Sequence, residues 1–203
     1  MNNKNRVFEH DWFSHWQPIW DKILLSLDKY EKLEFLEIGS FEGKCTTYLL
    51  DNWLQDKDSK ITCIDTFDGG ADQKDGNINL SNLYDRFLNN ISGYEEKVEI
   101  RKGFSYDKLL ELNREERKFD LIYVDASHLT KDVLEDAVLS FRLCNIGGFI
   151  IFDDYLWPSP EDIKKLDPGY TPYNGISSFL LCYQDKIKIV YNGYQVFIKK
   201  IKE

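Results

Sequence analysis

Four side chains in the second half of this 203-residue chain could share one piece of chemistry. Asp125 closes an apolar run, Leu121-Ile122-Tyr123-Val124. Asp153 and Asp154 close another, Phe149-Ile150-Ile151-Phe152, and His128 stands three residues beyond the first acid. Short apolar runs of this kind read as strands buried on both faces, as at the centre of a parallel sheet, and adjacent parallel strands end at one edge. Three carboxylates brought to one edge repel each other. Either they are solvated and spread apart, or a cation holds them together. Oxygen ligands suit a hard ion, Mg²⁺ or else Mn²⁺ or Ca²⁺, and not zinc. His128 has an unperturbed pKa near neutrality and is the candidate general base. Its alternatives are a metal ligand and a cap on the helix that follows.

The first half carries a second constellation. A strand (Phe35, Leu36, Ile38) runs into the turn Gly39-Ser40-Phe41-Glu42-Gly43, and Cys45, Leu49 and Trp53 then repeat at helical spacing. Strand, glycine turn and helix N-terminus form a nucleotide-site pattern. The dinucleotide fingerprint Gly-x-Gly-x-x-Gly is not met, because Glu37 stands where its first glycine belongs, giving Glu37-x-Gly39-x-x-x-Gly43. A carboxylate there would repel a pyrophosphate and suits a ligand bearing an ammonium group. A second strand, Lys60–Asp65, ends in an acid about 20 residues past Gly43, the spacing at which a carboxylate meets ribose hydroxyls. The other reading of Asp65 is a cap on the next turn. A strand over 97–102 ends at Gly103-Phe104-Ser105, which puts Phe104 and Ser105 where an adenine could sit.

These motifs carry a resemblance. Glu-x-Gly-x-x-x-Gly after a first strand resembles the cofactor motif of class I S-adenosylmethionine-dependent methyltransferases. VDASH, a helix, Gly-Gly and FIIFDDY together resemble the metal-dependent, macrocin-type O-methyltransferases of macrolide sugars and, more distantly, catechol-type enzymes; the likeness spans residues 33–157. It implies S-adenosyl-L-methionine as cofactor, held by Glu37, Gly39, Ser40, Gly43, Asp65, Thr66, Phe67, Phe104, Ser105 and Asp125. It implies further that Asp125, Asp153 and Asp154 hold a divalent cation that binds the acceptor oxygens, and it allows Asp125 as an alternative base to His128. The catechol-type pattern ends in Asp-Asn and places a lysine shortly after the first aspartate. This chain has Asp153-Asp154, with His128 in that region and Lys131 further on, so the sugar-type branch fits better.

The elements needed to position these groups can be read in order. Residues 1–17 form an aromatic arm or lid in which His15 could touch substrate. A helix is expected over about 18–31, another around Leu83, Phe87, Leu88 and Ile91, and a third from a Thr130 cap to Gly147-Gly148. Residues 66–80 and 155–173 read as loops, the second supplying an acceptor wall led by Tyr155 and Trp157. A helix through 176–183 precedes two strands joined at Asn192-Gly193, a strong hairpin signal. A dehydrogenase sheet has no need of that antiparallel ending; class I methyltransferases have one. The expectation is one Rossmann-like α/β domain over 18–203 with a seven-stranded, mostly parallel sheet of order 3-2-1-4-5-7-6.

Composition bounds the rest. A net charge of −9 argues against nucleic acid as partner, and a small hydroxylated acceptor is expected instead. The four cysteines form no Cys-x-x-Cys pair and read as buried hydrophobes of a reducing compartment. No signal peptide and no apolar run near the roughly 18 residues of a membrane span are present, so the chain reads as cytoplasmic. A homo-oligomer stays open, as do a non-catalytic cofactor- or partner-binding module and another metalloenzyme on the same scaffold. The lack of a second histidine near Asp153 speaks against an iron enzyme.

Overall fold

The computed structural model describes residues 5–70, 78–158 and 167–203. Seven strands, β1 Glu34–Ile38, β2 Lys60–Asp65, β3 Val98–Lys102, β4 Phe119–Val124, β5 Cys144–Phe152, β6 Ile187–Asn192 and β7 Val196–Lys200, form one sheet of order β3-β2-β1-β4-β5-β7-β6. The first five pair in parallel, and β7 enters antiparallel against both β5 and β6. This is the architecture and strand order expected from sequence.

The alternation of side chains along each strand divides the core in two. Phe35, Leu121, Tyr123, Phe149, Ile151 and Phe197 face helices α1 (Gln17–Leu24), α2 (Lys44–Asn52) and α3 (Leu83–Asn90). Leu36, Ile38, Ile122, Val124, Ile150 and Phe152 face α4 (Ser105–Arg114), α5 (Thr130–Leu143) and α6 (Pro172–Cys182). With both faces covered, the sheet has room for polar groups only at its strand ends.

Several elements differ from expectation for local reasons. Helix α1 stops at Leu24, because Asp28 Oδ1 accepts from Tyr30 N at 3.0 Å in a side-chain turn that competes with helix, and Leu25 is exposed. Helix α4 is not among the elements read from sequence, since only Leu109 and Leu112 are buried in an otherwise charged stretch. Thr130 is the first residue of α5 and not its cap; its hydroxyl reaches the carbonyls of Pro168 (2.7 Å) and Thr171 (2.8 Å), tying α5 to the loop before α6. Gly147 and Gly148 lie within β5, after α5 has already ended at Leu143. The hairpin turn falls on Gly193-Tyr194-Gln195, since Asn192 still pairs with Val196. Leu88 and Cys182 are exposed, whereas the other three cysteines are buried.

The backbone at the end of β1 runs close against the end of β4. Gly39 has φ = +88°, and a Cβ built there would sit 1.8 Å from the Asp125 carbonyl oxygen. Gly39→Ala should therefore cost about 2–4 kcal/mol and displace the β4 end. Urea unfolding checks it: a loss below about 1 kcal/mol would mean that the two strand ends separate freely.

Candidate active site

At the carboxyl edge of β1 to β5 opens a cavity of about 1070 Å³. Asp65 anchors one end. Its Oδ2 accepts from Phe41 N at 2.7 Å and its Oδ1 from Phe67 N at 2.6 Å, so one carboxylate holds both the β1–α2 turn and the loop after β2. Phe41 and Phe67 have positive φ (46° and 56°), a strained backbone that these bonds maintain. Asp65 is thus a turn cap and a cavity-lining group at once. Thr66, Phe104 and Ser105 also line the space, as does Gly39.

Glu37 is placed differently from its sequence reading. Its strand position points it toward α2, where it accepts from the Thr46 hydroxyl and lies 3.6 Å from Cys63 Sγ. It is not among the lining residues, and burial pushes its carboxyl up to about 7. Ser40 is buried and Gly43 faces the Phe87 ring, while Phe67 packs into the core between Tyr84 and Phe87. These three also stand back from the lining and shape the turn from beneath.

The other end of the cavity holds the acids. Asp125, His128 and Asp154 bring one ligand atom each within 4.8 Å of one another, and His128 Nε2 lies 2.9 Å from Asp154 Oδ2. Asp153 lines the cavity, but its oxygens are engaged: Oδ1 accepts from Asp154 N (2.7 Å), and Oδ2 accepts from Gln195 Nε2 (2.8 Å) and from the Tyr123 hydroxyl. Of the expected trio of carboxylates, Asp125 and Asp154 thus converge with the His128 imidazole, while Asp153 stands beside them with its oxygens engaged. Tyr123 also approaches Asp125 Oδ2 at 3.0 Å, and the Tyr194 hydroxyl donates to Asp154 Oδ1 at 2.6 Å. Burial, reinforced by the neighbouring carboxylates, holds Asp125 well above the usual carboxylate range, and it raises Asp153 to about 6.

The arm is strapped down from Arg6 to Trp16. Arg6 pairs bidentately with Asp51, and Val7 exchanges hydrogen bonds with the Asn90 side chain. Buried Glu42 accepts from Glu9 N and His10 N on one oxygen and from Arg86 Nε on the other. Phe13 is buried beside Trp20 and Tyr48. Trp12, His15 and Trp16 reach the cavity, Trp16 stacking on Tyr194 at 5.5 Å. Trp157 lines the opposite rim against His128 (4.4 Å), but Tyr155 turns away to stack on Tyr173 and bond Ser177, so it does not form part of the lining. Residues 159–166 of the expected acceptor wall, and 71–77 of the loop after β2, lie outside the described residues.

Sequence reasoning passed over Tyr123, Tyr194 and Gln195. Tyr123 read as strand core, and Tyr194-Gln195 lay behind a stronger Asn-Gly turn signal.

A fold of this order with this edge is that of class I methyltransferases, and the family model described as "Methyltransferase domain" matches residues 36–155. The chain belongs to that family. An uncharacterised protein of Acanthamoeba polyphaga mimivirus is 29% identical over 127 residues, which span 62% of this chain and 52% of that protein. Among solved structures, the O-methyltransferase TomG from Streptomyces achromogenes, in complex with SAM, matches with a TM-score of 0.63 and 17% identity over 84% of this chain and 73% of its own. The Bacillus cereus O-methyltransferase in complex with SAH gives 0.64 and 17% identity, over 96% and 84%. The methyltransferase MycE of the mycinamycin pathway, in complex with Mg, SAH and mycinamycin VI, gives 0.65 and 15% over 95% and 51%.

The buried acids have a consequence for stability. With its folded pKa near 7 against about 4.5 unfolded, Glu37 keeps a proton in the native state that the unfolded chain has already lost. Unfolding free energy therefore falls as pH rises from about 4.5 to 7, by on the order of 3 kcal/mol from this group. Melting temperature measured without cation should decline through that window, and Glu37→Gln should flatten the slope. A profile unchanged by the substitution would show that Glu37 is ionised in the native state throughout.

Proposed function

We propose that the protein is an S-adenosyl-L-methionine-dependent O-methyltransferase that works with a divalent cation, Mg²⁺ or Mn²⁺, on a hydroxyl of a small molecule, with a sugar moiety favoured over a catechol. One observation carries the reading. A single cavity has a ribose-suited carboxylate, Asp65, at one end and the Asp125–His128–Asp154 cluster at the other. Family membership supports methyl transfer, and the SAM, SAH and Mg in the structures of TomG, the Bacillus cereus enzyme and MycE support the choice of cofactors.

The residues fit a cation. Two carboxylates and an imidazole converge, and burial followed by the neighbouring Asp153 and Asp154 carboxylates raises Asp125. A cation bound there would supply Lewis acidity, lowering the pKa of an acceptor hydroxyl. Asp125 and Asp154 would hold it, with Tyr194 and Tyr123 orienting them. Asp153, fixed by Gln195 and the backbone, adds charge beside them without being free to turn. His128, its Nε2 hydrogen-bonded to Asp154 Oδ2, is the base for the acceptor proton. A second reading makes His128 a ligand, because its nitrogen sits within the same cluster. Gly39 brings the β1 turn against the β4 end, so that a donor seated on Asp65 and an acceptor at Asp125 meet in fixed geometry. Transfer is then a matter of positioning and electrostatics, with no covalent intermediate on the protein.

Trp12, Trp16 and Trp157 offer apolar faces beside these carboxylates, the mixture that a hydroxylated ring requires. The net charge of −9 speaks against nucleic acid as acceptor. No helix among the described residues is long and apolar enough to cross a membrane. The four free thiols support a reducing compartment, and we place the protein in the cytoplasm.

Calorimetric titration tests the reading. S-adenosylhomocysteine should bind the wild type with micromolar affinity, and Asp65→Ala should weaken it at least tenfold. Asp154→Ala should lose Mg²⁺ binding while S-adenosylhomocysteine affinity stays within about threefold. His128→Gln should keep Mg²⁺ affinity and lose 10²–10⁴-fold in turnover if His128 is the base; loss of both would make it a ligand. No binding of S-adenosylhomocysteine by the wild type would sink the proposal.

A further inference from the structure

Two polar side chains sit where an apolar pair would serve the fold as well. Trp20 and Gln195 are both fully buried, and the indole meets the rings of Phe13, Tyr123 and Phe197 edge-on. Burying an amide among rings costs stability unless its polar atoms are paired. Here the pairing runs in a line toward the cavity. Trp20 Nε1 donates to Gln195 Oε1 at 2.9 Å, and Gln195 Nε2 donates at 2.8 Å to Asp153 Oδ2, which also accepts from the Tyr123 hydroxyl.

The chemistry of the three groups leaves that line one direction. An indole N–H can only donate and a carboxylate can only accept, so the amide between them turns its oxygen to Trp20 and its nitrogen to Asp153. Asp153 needs such a hold. Its Oδ2 shares the Tyr123 hydroxyl with Asp125 Oδ2, and its Oδ1 takes the backbone N–H of Asp154. A carboxylate set between two others swings away from them unless a donor fixes it. The next residue along the hairpin turn repeats the pattern: Tyr194 donates to Asp154, and its ring stacks on Trp16, about one helical turn before Trp20. Two tryptophans on one side of the first helix thus stand behind two consecutive acids, through two consecutive residues of the turn.

Resting on the cation reading above, we infer that Trp20 is a positioning residue of the acid edge: through Gln195 it keeps Asp153 turned beside Asp125 and Asp154, and so sets the affinity of that edge for a divalent cation. Neither Trp20 nor Gln195 lines the cavity, so both act only through Asp153.

The test titrates Mg²⁺ calorimetrically into the wild type and three variants. Gln195→Met, close in volume but without the amide, should weaken Mg²⁺ binding by at least about tenfold. Trp20→Phe, which keeps a ring in the core but has no N–H, should weaken it by a similar factor. The double variant should bind no more weakly than Gln195→Met alone, because the two residues act in series. S-adenosylhomocysteine affinity should stay within about threefold throughout, since Asp65 lies at the other end of the cavity. Mg²⁺ affinity in Trp20→Phe within about twofold of the wild type would overturn the inference, as would losses that multiply in the double variant. A parallel loss of S-adenosylhomocysteine binding would overturn it too, by showing that the substitutions disturb the whole edge. Each of these leaves the cation reading standing. Failure of the wild type to bind Mg²⁺ would instead remove the cation reading and this inference with it.

Discussion

Everything at this site follows from burying both faces of a parallel sheet. Helices cover β1, β2, β4 and β5 above and below, so their backbone and side chains meet water only at the strand ends. Asp65, Asp125, Asp153 and Asp154 each stand at such an end, where burial, joined by repulsion from neighbouring carboxylates, raises the pKa of the first three. The protein offsets this with neutral donors. Phe41 N and Phe67 N serve Asp65, Tyr123 and Gln195 serve Asp153, and Tyr194 serves Asp154. Hydrogen bonds fix the carboxylates without cancelling their charge.

Those donors come from all parts of the chain. Gln195 is itself oriented by Trp20, whose Nε1 donates to Gln195 Oε1 at 2.9 Å, so the first helix and the terminal hairpin meet behind Asp153. Trp16, a few residues earlier, stacks on Tyr194. The arm and the hairpin, far apart in sequence, thus clasp the acid edge from the same side.

Strands, their order and the acids at their ends were legible in the sequence because apolar runs ending in Asp, with a hairpin at the close, leave few topologies for the chain. What alternation along a strand does to a single residue was less legible. Glu37 looked like a ligand group because it sits two residues before Gly39, yet that position faces α2, where Thr46 takes it. Asp153 looked equivalent to Asp154, but adjacent residues at a strand end point apart, and the partners that occupy Asp153 lie in the core and the hairpin. Tyr155 was placed by proximity in sequence, whereas Tyr173 and Ser177, on α6, decided its direction.

The hairpin turn also sets an order in time. Tyr194 and Gln195 lie 40 and 42 residues beyond the acids that they hold. On a ribosome, β5 emerges with Asp153 and Asp154 well before these partners do. Until the turn follows, β5 has no β7 to pair with, and its apolar edge needs shelter from other nascent chains. The two acids at its end likewise stay without their hairpin donors until that turn emerges, so the acid edge is among the last parts of the sheet to be completed.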